Sequence, residues 1–423
     1  MTPTPDAIRA AVAARKQEIV DLLLYVVGAE SVTGNEAEVQ HRFQEAYASR
    51  GLEVDAWEST AEEIAPYVVH VGEETRFRDR PNLVATRKGT GGGRSVMLQG
   101  HVDTVDAGDL SLWTKRHTGE ATDDRVYGRG AGDMKAGVVS SIAALDVLAD
   151  LGVRLQGDVL LAATTGEEDG GVGALSTILR GHRADAVVIT EPTNLSLVIA
   201  HGGSLVFRIT VNGKSAHGGF RNEGISAVEK FIPIFQDLLA WEAERNATLS
   251  HPLLDYLDNK FPISVGLVQA GTWASTVPET LIAEGRLGFL PGETIEEMMV
   301  QTEARVQKIA EADPWMREHP PVVEWIGGQF ASAEVPRDEP IVLAMEWAHM
   351  AITGMAPVVR GVSWGSDMRL FTEIGKMPTL IYGAGDEHNI HCPDEYIDIE
   401  DILTAVQSLA MMLVDWCGVA SSS

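Results

Sequence analysis

A run of acids follows an apolar segment in residues 157–174. Residues 157–166 (GDVLLAATTG) are typical of a strand, and they lead directly into Glu167, Glu168 and Asp169 and then two glycines. Adjacent carboxylates repel one another, and they are costly to bury unless they are paired or bind a metal. Most charge runs are solvated, so a solvated turn is the alternative interpretation. The positions of the remaining acids and histidines help to distinguish a solvated turn from a metal-binding site.

Four further groups of acids and histidines stand at the ends of apolar segments or at the start of a helix. They are His101 and Asp103 after residues 94–100, Asp133 before residues 134–152, Glu191 after residues 184–190, and His388 and His391 after residues 377–385. In open parallel sheets, ligands bind in the crevice outside the carboxyl ends of the strands. Five groups in that one place favour a shared site over solvated turns.

The segments that carry these residues alternate between strand-like and helix-like patterns. Residues 94–100, 157–166 and 184–190 read as strands, whereas residues 134–152 and 173–182 read as helices. This order predicts an α/β fold with a mainly parallel sheet and helices on both faces. The final part returns to the same style, with helices near 339–352 and 399–416 around a strand at 377–385.

The middle of the chain has a different pattern. Strands at 204–214, 263–270, 280–290 and 321–326 are interrupted by helices at 225–246 and 294–312, the second with Thr294 and Glu297 at capping-box positions. The order β-α-β-β-α-β describes a split βαβ, ferredoxin-like unit. We therefore expect residues 201–328 to form an α+β domain inserted into a catalytic domain made of residues 1–200 and 329–423.

The residue types indicate a metal centre. Two histidines and three acids with spare carboxylates suit divalent zinc, cobalt or manganese. A metal-bound imidazole usually passes its other N–H to a carboxylate, which is the role we predict for Asp103 beside His101. If one residue of the Glu167–Glu168 pair binds a metal, the other can act as general base. Adjacent residues on a strand point to opposite faces, so both can serve one site only if the strand has ended.

Composition excludes several classes of function. The 423 residues carry a formal charge of −28, which argues against binding to nucleic acid or to an anionic membrane surface. The two cysteines, Cys392 and Cys417, exclude a disulfide framework and favour a reduced compartment. The first 34 residues lack a signal-peptide layout, so we expect a cytoplasmic protein. A chain of 423 residues is too long for one ordinary core, so we expect two or three domains.

Six motifs together resemble one known family. The segments GHVDTV, GRGAGDMKAG, TTGEEDGGVGA, ITEPT, GKSAHG and HCPDEY run in order through residues 95–396. They are similar to the two-metal peptidase and deacylase family that includes acetylornithine deacetylase, succinyl-diaminopimelate desuccinylase, aminoacylase and glutamate carboxypeptidase.

The resemblance implies a role for each matching residue. It implies two divalent metal ions, zinc first and cobalt or manganese as alternatives. One metal is expected on His101 and Glu191, the other on Glu168 and His391, and Asp133 bridges both; Glu167 is the general base and Asp103 orients His101. His391 matches the family's His-x-Pro-Asp-Glu pattern, whereas His388 does not.

The middle domain carries three further candidates. His217, in GKSAHGG, matches a histidine that stabilises the oxyanion in the partner subunit's site, which implies a homodimer through residues 201–328; a solvated turn is the alternative. Arg286 matches an arginine that contacts a substrate carboxylate, although a surface ion pair is equally open. Ser275 stands where relatives commonly have Asn, so one contact to the substrate or tetrahedral intermediate is in doubt.

These predictions together describe an amidohydrolase for an N-acyl amino acid or similar small amide. A metal-bridged hydroxide attacks the amide carbon, and Glu167 takes the proton of the water and delivers it to the leaving amine. A dipeptidase or carboxypeptidase, a hydrolase of an unusual catabolic amide or aromatic amine, and a non-catalytic binding protein are the alternatives. The sequence leaves open the acyl group, and also whether His388, Trp364 and Asp367 contact the substrate.

Overall fold

A computed structural model describes residues 2–72 and 76–421. The chain forms a large mixed sheet, a four-stranded sheet and a small three-stranded sheet. The strands are β1 (Glu53–Glu58), β2 (Pro81–Arg87), β3 (Val96–His101), β4 (Glu120–Ala121), β5 (Arg125–Tyr127), β6 (Val159–Thr164), β7 (Val187–Ile189), β8 (Leu197–His201), β9 (Gly203–Asn212), β10 (Ile263–Ala270), β11 (Thr280–Phe289), β12 (Val322–Trp325), β13 (Ala333–Glu334), β14 (Val359–Val362), β15 (Thr379–Ile381) and β16 (Tyr396–Asp398).

Helices cover the sheets. They are α1 (Pro5–Ala14), α2 (Lys16–Val27), α3 (Ala37–Ala48), α4 (Ala61–Ile64), α5 (Val68–Val71), α6 (Ala136–Asp150), α7 (Val172–Leu179), α8 (Ala227–Thr248), α9 (Ile295–Ala312), α10 (Pro314–Glu318), α11 (Pro340–Thr353) and α12 (Ile399–Cys417). Helices α6 and α12 pack against β3, whereas α3 and α7 pack against β2. No helix among the described residues has both the length and the apolar character that crossing a membrane requires.

The large sheet has the order β1-β2-β6-β3-β7-β15-β8-β13, with β14 paired to β8. Its centre is parallel: β6, β3, β7 and β15 run in the same direction. Every residue of β3, β6 and β7 is buried, as their continuous apolar sequences predict. The predicted fold class is confirmed at this centre, and the carboxyl ends of these strands meet at one edge.

The four-stranded sheet is the predicted split βαβ unit. Its order is β10-β11-β9-β12 with antiparallel pairing throughout. Strand β9 alternates between buried and half-buried residues, and Thr294 and Glu297 form the predicted capping box at the start of α9. This sheet and its helices have a hydrophobic core of their own, which includes Phe207, Trp241 and Phe261.

The edges of the large sheet differ from its parallel centre. Strands β1 and β2 pair antiparallel with each other, and β2 pairs antiparallel with β6. Strands β16, β5 and β4 form a separate small sheet. Strands β4, β5 and β16 have two or three residues each, so they give little periodic signal in the sequence.

Candidate active site

The predicted metal ligands lie at the carboxyl edge of the parallel strands. His101 is the last residue of β3, Glu167 and Glu168 follow β6, and Glu191 follows β7. Asp133 lies in a helical turn before α6, and His391 lies in the loop between β15 and β16. Residues separated by up to 290 positions therefore converge, because parallel strands end at the same edge of the sheet.

Asp133 stands between the two histidines. Its Oδ1 lies 3.1 Å from His101 Nε2, and its Oδ2 lies 3.2 Å from His391 Nε2. His101 Nε2 is also 3.5 Å from Glu191 Oε1, and His391 Nε2 is 3.2 Å from Glu168 Oε1. This arrangement divides the ligands into the two predicted sets, with one carboxylate shared between them.

The donor set fits divalent cations. Ligand atoms of His101, Glu167 and Glu191 lie within 4.8 Å of one another, as do those of His101, Asp133 and Glu168. Imidazole nitrogens and carboxylate oxygens are the ligands that zinc, cobalt and manganese accept. The first of these clusters contains Glu167, which the sequence predicts as the base, so the base lies within reach of the metal ligands.

Burial sets the electrostatics of the site. Desolvation raises the pKa of the Glu167 carboxyl well above its usual value, and the carboxylates of Asp367 and Glu191 add to the shift. Desolvation likewise raises the pKa of Glu191 to about 8. Hydrogen bonds to Asp133 and Glu168 raise the pKa of His391 to about 10. The site thus crowds carboxyl groups where water solvates their charge poorly, and a bound cation would relieve that cost.

Asp103 acts through both its main chain and its side chain. His101 Nδ1 lies 3.0 Å from the Asp103 carbonyl oxygen, whereas the nearer carboxylate oxygen is 3.6 Å away. The carboxylate instead accepts the main-chain N–H groups of Glu167 and Glu168, each at 3.2 Å, and the hydroxyl of Thr33 at 2.9 Å. The imidazole orientation predicted for the carboxylate is therefore provided by the carbonyl of the same residue.

The turn at residues 165–171, which we call the acidic turn, carries Glu167, Glu168 and Asp169. Strand β6 ends at Thr164, so Glu167 and Glu168 escape the alternation of a strand. Gly166 has φ +69°, and a Cβ there would meet Val172 at 2.7 Å and the Arg80 guanidinium at 2.9 Å. Glycine is thus required where the chain turns, and both glutamates reach the site.

Three buried side chains around the site make contacts that the sequence does not predict. Asp367 is fully buried, accepts a hydrogen bond from Gln99 Nε2 at 3.0 Å, and has a pKa that burial raises to about 6. Arg369 is also buried and donates to the main-chain oxygens of Ser366 and Gly170. Glu395 belongs to the HCPDEY motif of the family resemblance, but only the structure shows which groups its carboxylate binds.

Two aromatic candidates near the C-terminal half lie to the side of the ligands. His388 is exposed, and its main-chain N–H donates to Asp386 at 2.9 Å. Trp364 donates its indole N–H to Glu387 at 3.0 Å. Within the described residues, neither side chain has a hydrogen bond or ion pair to any of the predicted metal ligands.

The three candidates in the split βαβ unit lie apart from that group. His217 is exposed, and its Nδ1 accepts the main-chain N–H of Gly219 at 3.1 Å. The Ser275 carbonyl accepts the N–H of Gly218 at 2.6 Å, and Arg286 Nε donates to the Ser204 hydroxyl at 3.1 Å. Across the described part of the chain, no hydrogen bond or ion pair joins these three to the metal ligands.

Comparison with known proteins assigns the family. The sequence profile described as "Peptidase family M20/M25/M40" matches residues 97–415, which include all the predicted metal ligands and the split βαβ unit. The chain belongs to peptidase family M20/M25/M40. It is therefore a hydrolase of a metal-dependent family, as the sequence motifs predict.

Relatives in this family include proteins named as deacylases. The chain is 27% identical over 363 residues to N-formyl-4-amino-5-aminomethyl-2-methylpyrimidine deformylase of Halalkalibacterium halodurans, covering 81% of this chain and 84% of the relative. It is 28% identical over 346 residues to acetylornithine deacetylase of Myxococcus xanthus, covering 80% and 85%. Among solved structures, the dipeptidase Dug1p of Saccharomyces cerevisiae has a TM-score of 0.80 at 14% identity, covering 99% of each chain.

Proposed function

We propose that this protein is a two-metal amidohydrolase that removes the acyl group from an N-acyl amino acid or a similar small amide. The observation that carries the proposal is the position of Asp133, whose two oxygens face His101 and His391 separately at 3.1 and 3.2 Å. A carboxylate shared in this way suits two cations held close together. Two divalent metals, when bound, would lower the pKa of water and polarise the amide carbonyl.

Glu167 is the proposed general base. Its carboxylate belongs to the same cluster of ligand atoms as His101 and Glu191, so it lies within reach of a water molecule that a metal held by those residues would bind. Only 8% of the residue is exposed, and burial raises its pKa, which favours proton uptake. Glu167 accepts the proton of the attacking water and delivers it to the amine as the C–N bond breaks.

The sequence similarities favour a deacylase over a dipeptidase. The relatives at 27–28% identity have names that describe deformylation and deacetylation, whereas the dipeptidase named above is 14% identical and shares the fold alone. The deformylase relative also supports the second candidate, a hydrolase for an amide outside ordinary amino acid metabolism. Its substrate is an aminomethylpyrimidine derivative by name, not an amino acid.

Arg286 is the proposed contact for a substrate carboxylate. It is half-buried, and burial lowers the pKa of its guanidinium. Its Nε donates to the neutral Ser204 hydroxyl at 3.1 Å, and no ion pair engages it in the described parts of the chain. A half-buried guanidinium without an ion-pair partner is suited to bind an anionic group. Ser275, in the same unit, stays a substrate-binding prediction.

A second copy of this chain is the proposed partner, through the split βαβ unit of residues 201–328. Four apolar side chains at helical spacing remain exposed along α8: Val228, Ile232, Phe235 and Leu239. Strand β10, which packs against α8, is an edge strand with Leu267 and Val268 also exposed. Exposed apolar stripes beside an open edge mark interaction surfaces.

His217 supports this choice of partner. It is exposed and has no link to the metal ligands within the described part of its own chain. Approach of a second copy would bring its histidine toward this site as an oxyanion donor.

The domain boundaries at 200 and 328 and the cytoplasmic location remain predictions.

One experiment tests the function. The protein loaded with zinc, cobalt or manganese is incubated with a pool of N-formyl, N-acetyl and N-succinyl amino acids, dipeptides and aromatic amides. Mass spectrometry identifies each amine released, with Glu167→Ala as the control protein. Release restricted to one acyl class and absent from the control supports the deacylase. Cleavage of dipeptides alone contradicts it in favour of the alternative.

A further inference from the structure

Glu395 joins two loops of the metal centre. Its side chain is fully buried, and Oε1 accepts the main-chain N–H groups of Gly132 at 3.0 Å and Asp133 at 3.2 Å. Its Oε2 accepts the Arg129 guanidinium at 2.5 Å. The main-chain oxygen of Glu395 also accepts the N–H of Gly128 at 2.9 Å. One residue thus holds the loop that carries Asp133 at four points, through Gly128, Arg129, Gly132 and Asp133.

Glu395 also lies in the segment that carries His391. The two are four residues apart, and the segment pairs with β5 through Tyr396 directly after Glu395. The two metal-ligand sets therefore depend on Glu395 to different extents. In the set of His391, Glu168 and Asp133, two of the three ligands lie on loops that Glu395 joins. In the set of His101, Glu191 and Asp133, only Asp133 does.

We propose that Glu395 is a positioning residue that selectively secures the metal of the His391–Glu168 set by fixing Asp133 and His391 relative to each other. This inference rests on the proposed two-metal function. Hydrogen-bond partners behind metal ligands fix ligand orientation, and their loss typically weakens metal affinity about 10- to 100-fold. Here the loss falls mainly on one of two neighbouring metals, because the loops of the other set are held independently by strands β3 and β7.

The carboxylate is required for this role. Three donors converge on it: two main-chain N–H groups and a buried guanidinium. The side chain of Gln has the same shape but offers one acceptor oxygen and one NH₂ group. In either orientation, the NH₂ group faces an N–H donor without an acceptor, and a buried donor left unsatisfied is costly.

The test is a calorimetric titration of the metal-free protein with Co²⁺, followed by its absorption spectrum. The wild type is expected to bind two ions. In Glu395→Gln, one of the two binding events is expected to weaken about 10- to 100-fold while the other is retained. The matched control is Asp394→Asn, in the same segment; Asp394 binds Thr114 and Lys115 instead of Asp133. Both ions are expected to bind this control normally.

The outcomes separate the two proposals. Equal weakening of both ions in Glu395→Gln, or no weakening, overturns the selective role and leaves the two-metal function standing. A wild type that binds fewer than two ions overturns the proposed function and this inference with it. If Glu395→Gln does not fold, Arg129→Gln removes the Oε2 partner alone and is expected to show a smaller loss of the same ion. Equal loss of both ions there overturns the role.

Discussion

The carboxylate of Asp103 accepts the main-chain N–H of Glu167 at 3.2 Å, so it holds the main chain of the proposed base. Its other oxygen accepts the N–H of Glu168, also at 3.2 Å. One buried acid therefore fixes the main chain of both the proposed base and a proposed metal ligand. The main-chain carbonyl of Asp103 also contacts His101, so the same residue holds a second proposed ligand.

Asp103→Asn is expected to lower metal affinity and activity together, about 10- to 100-fold, while the protein stays folded. Asn keeps the carbonyl contact to His101 but replaces one acceptor oxygen with a donor that faces an N–H group. Metal titration and turnover of the same preparation measure both effects. Full activity at wild-type metal affinity would show that the acidic turn holds its shape without this carboxylate.

Glu167→Gln is expected to lower kcat by at least about 10²- to 10⁴-fold, because Gln cannot accept the proton of water. Metal stoichiometry and melting temperature should be close to wild type, since the substitution preserves the shape of the buried side chain. Asp169→Asn is the matched control in the same acidic turn, where the side chain is exposed. Near-normal turnover of Glu167→Gln would remove it from the role of base.

Removal of metal should make stability depend strongly on pH. Glu191, with a pKa of about 8 in place of an ordinary 4.5, and His391, with about 10 in place of 6.5, both bind protons more tightly in the folded metal-free protein. Their contribution is complete below the unfolded pKa and is lost as pH rises through the folded one. Metal-free protein should therefore become less stable between about pH 5 and 10.

Metal binding has the opposite pH dependence, because it requires deprotonated ligands. The difference in melting temperature between metal-loaded and chelator-treated protein should widen as pH rises from 5 to 8. Thermal unfolding at several pH values in that range measures it. A difference that shrinks with rising pH would contradict the assignment of these residues as ligands.

A mixing experiment tests whether His217 serves the neighbouring subunit. Glu167→Ala and His217→Ala dimers are each expected to be inactive or nearly so. After dissociation and reassociation of an equal mixture, half of the dimers are mixed, and each contains one site with both residues intact. Activity should return to about a quarter of wild type. The absence of recovery, with mixed dimers verified by mass, would show that His217 does not act across the interface.

The exposed stripe on α8 predicts the dimer surface. Phe235→Glu should convert the dimer to a monomer, because it places a charge in the middle of four apolar side chains. Light scattering coupled to size-exclusion chromatography reads the mass directly. Val300→Glu is the control, since Val300 is 64% exposed on α9, outside the stripe. Dissociation by both substitutions, or by neither, would contradict the assignment.

Much of the fold follows from local patterns. Continuous apolar runs in β3, β6 and β7 indicate strands buried on both faces, and Thr294 with Glu297 marks the start of α9. The antiparallel strands β1 and β2 and the small sheet of β4, β5 and β16 have no comparable signal. Strands β4, β5 and β16 have two or three residues each, and the pairings of β2 with β6 and of β16 with β5 join segments far apart in the chain. These pairings depend on packing more than on local sequence.

The sequence by itself determined which residue types stand at the ends of the parallel strands, and hence the proposed set of metal ligands and the resemblance to the family. Only the tertiary structure decided how they are held. Asp103 uses its carbonyl for His101 and its carboxylate for the acidic turn, and Glu395 reaches Asp133 across 262 positions of sequence. Strand periodicity is a local property that a sequence records. Hydrogen bonds between loops depend on where distant strands end in space, and that is settled only when the whole sheet is assembled.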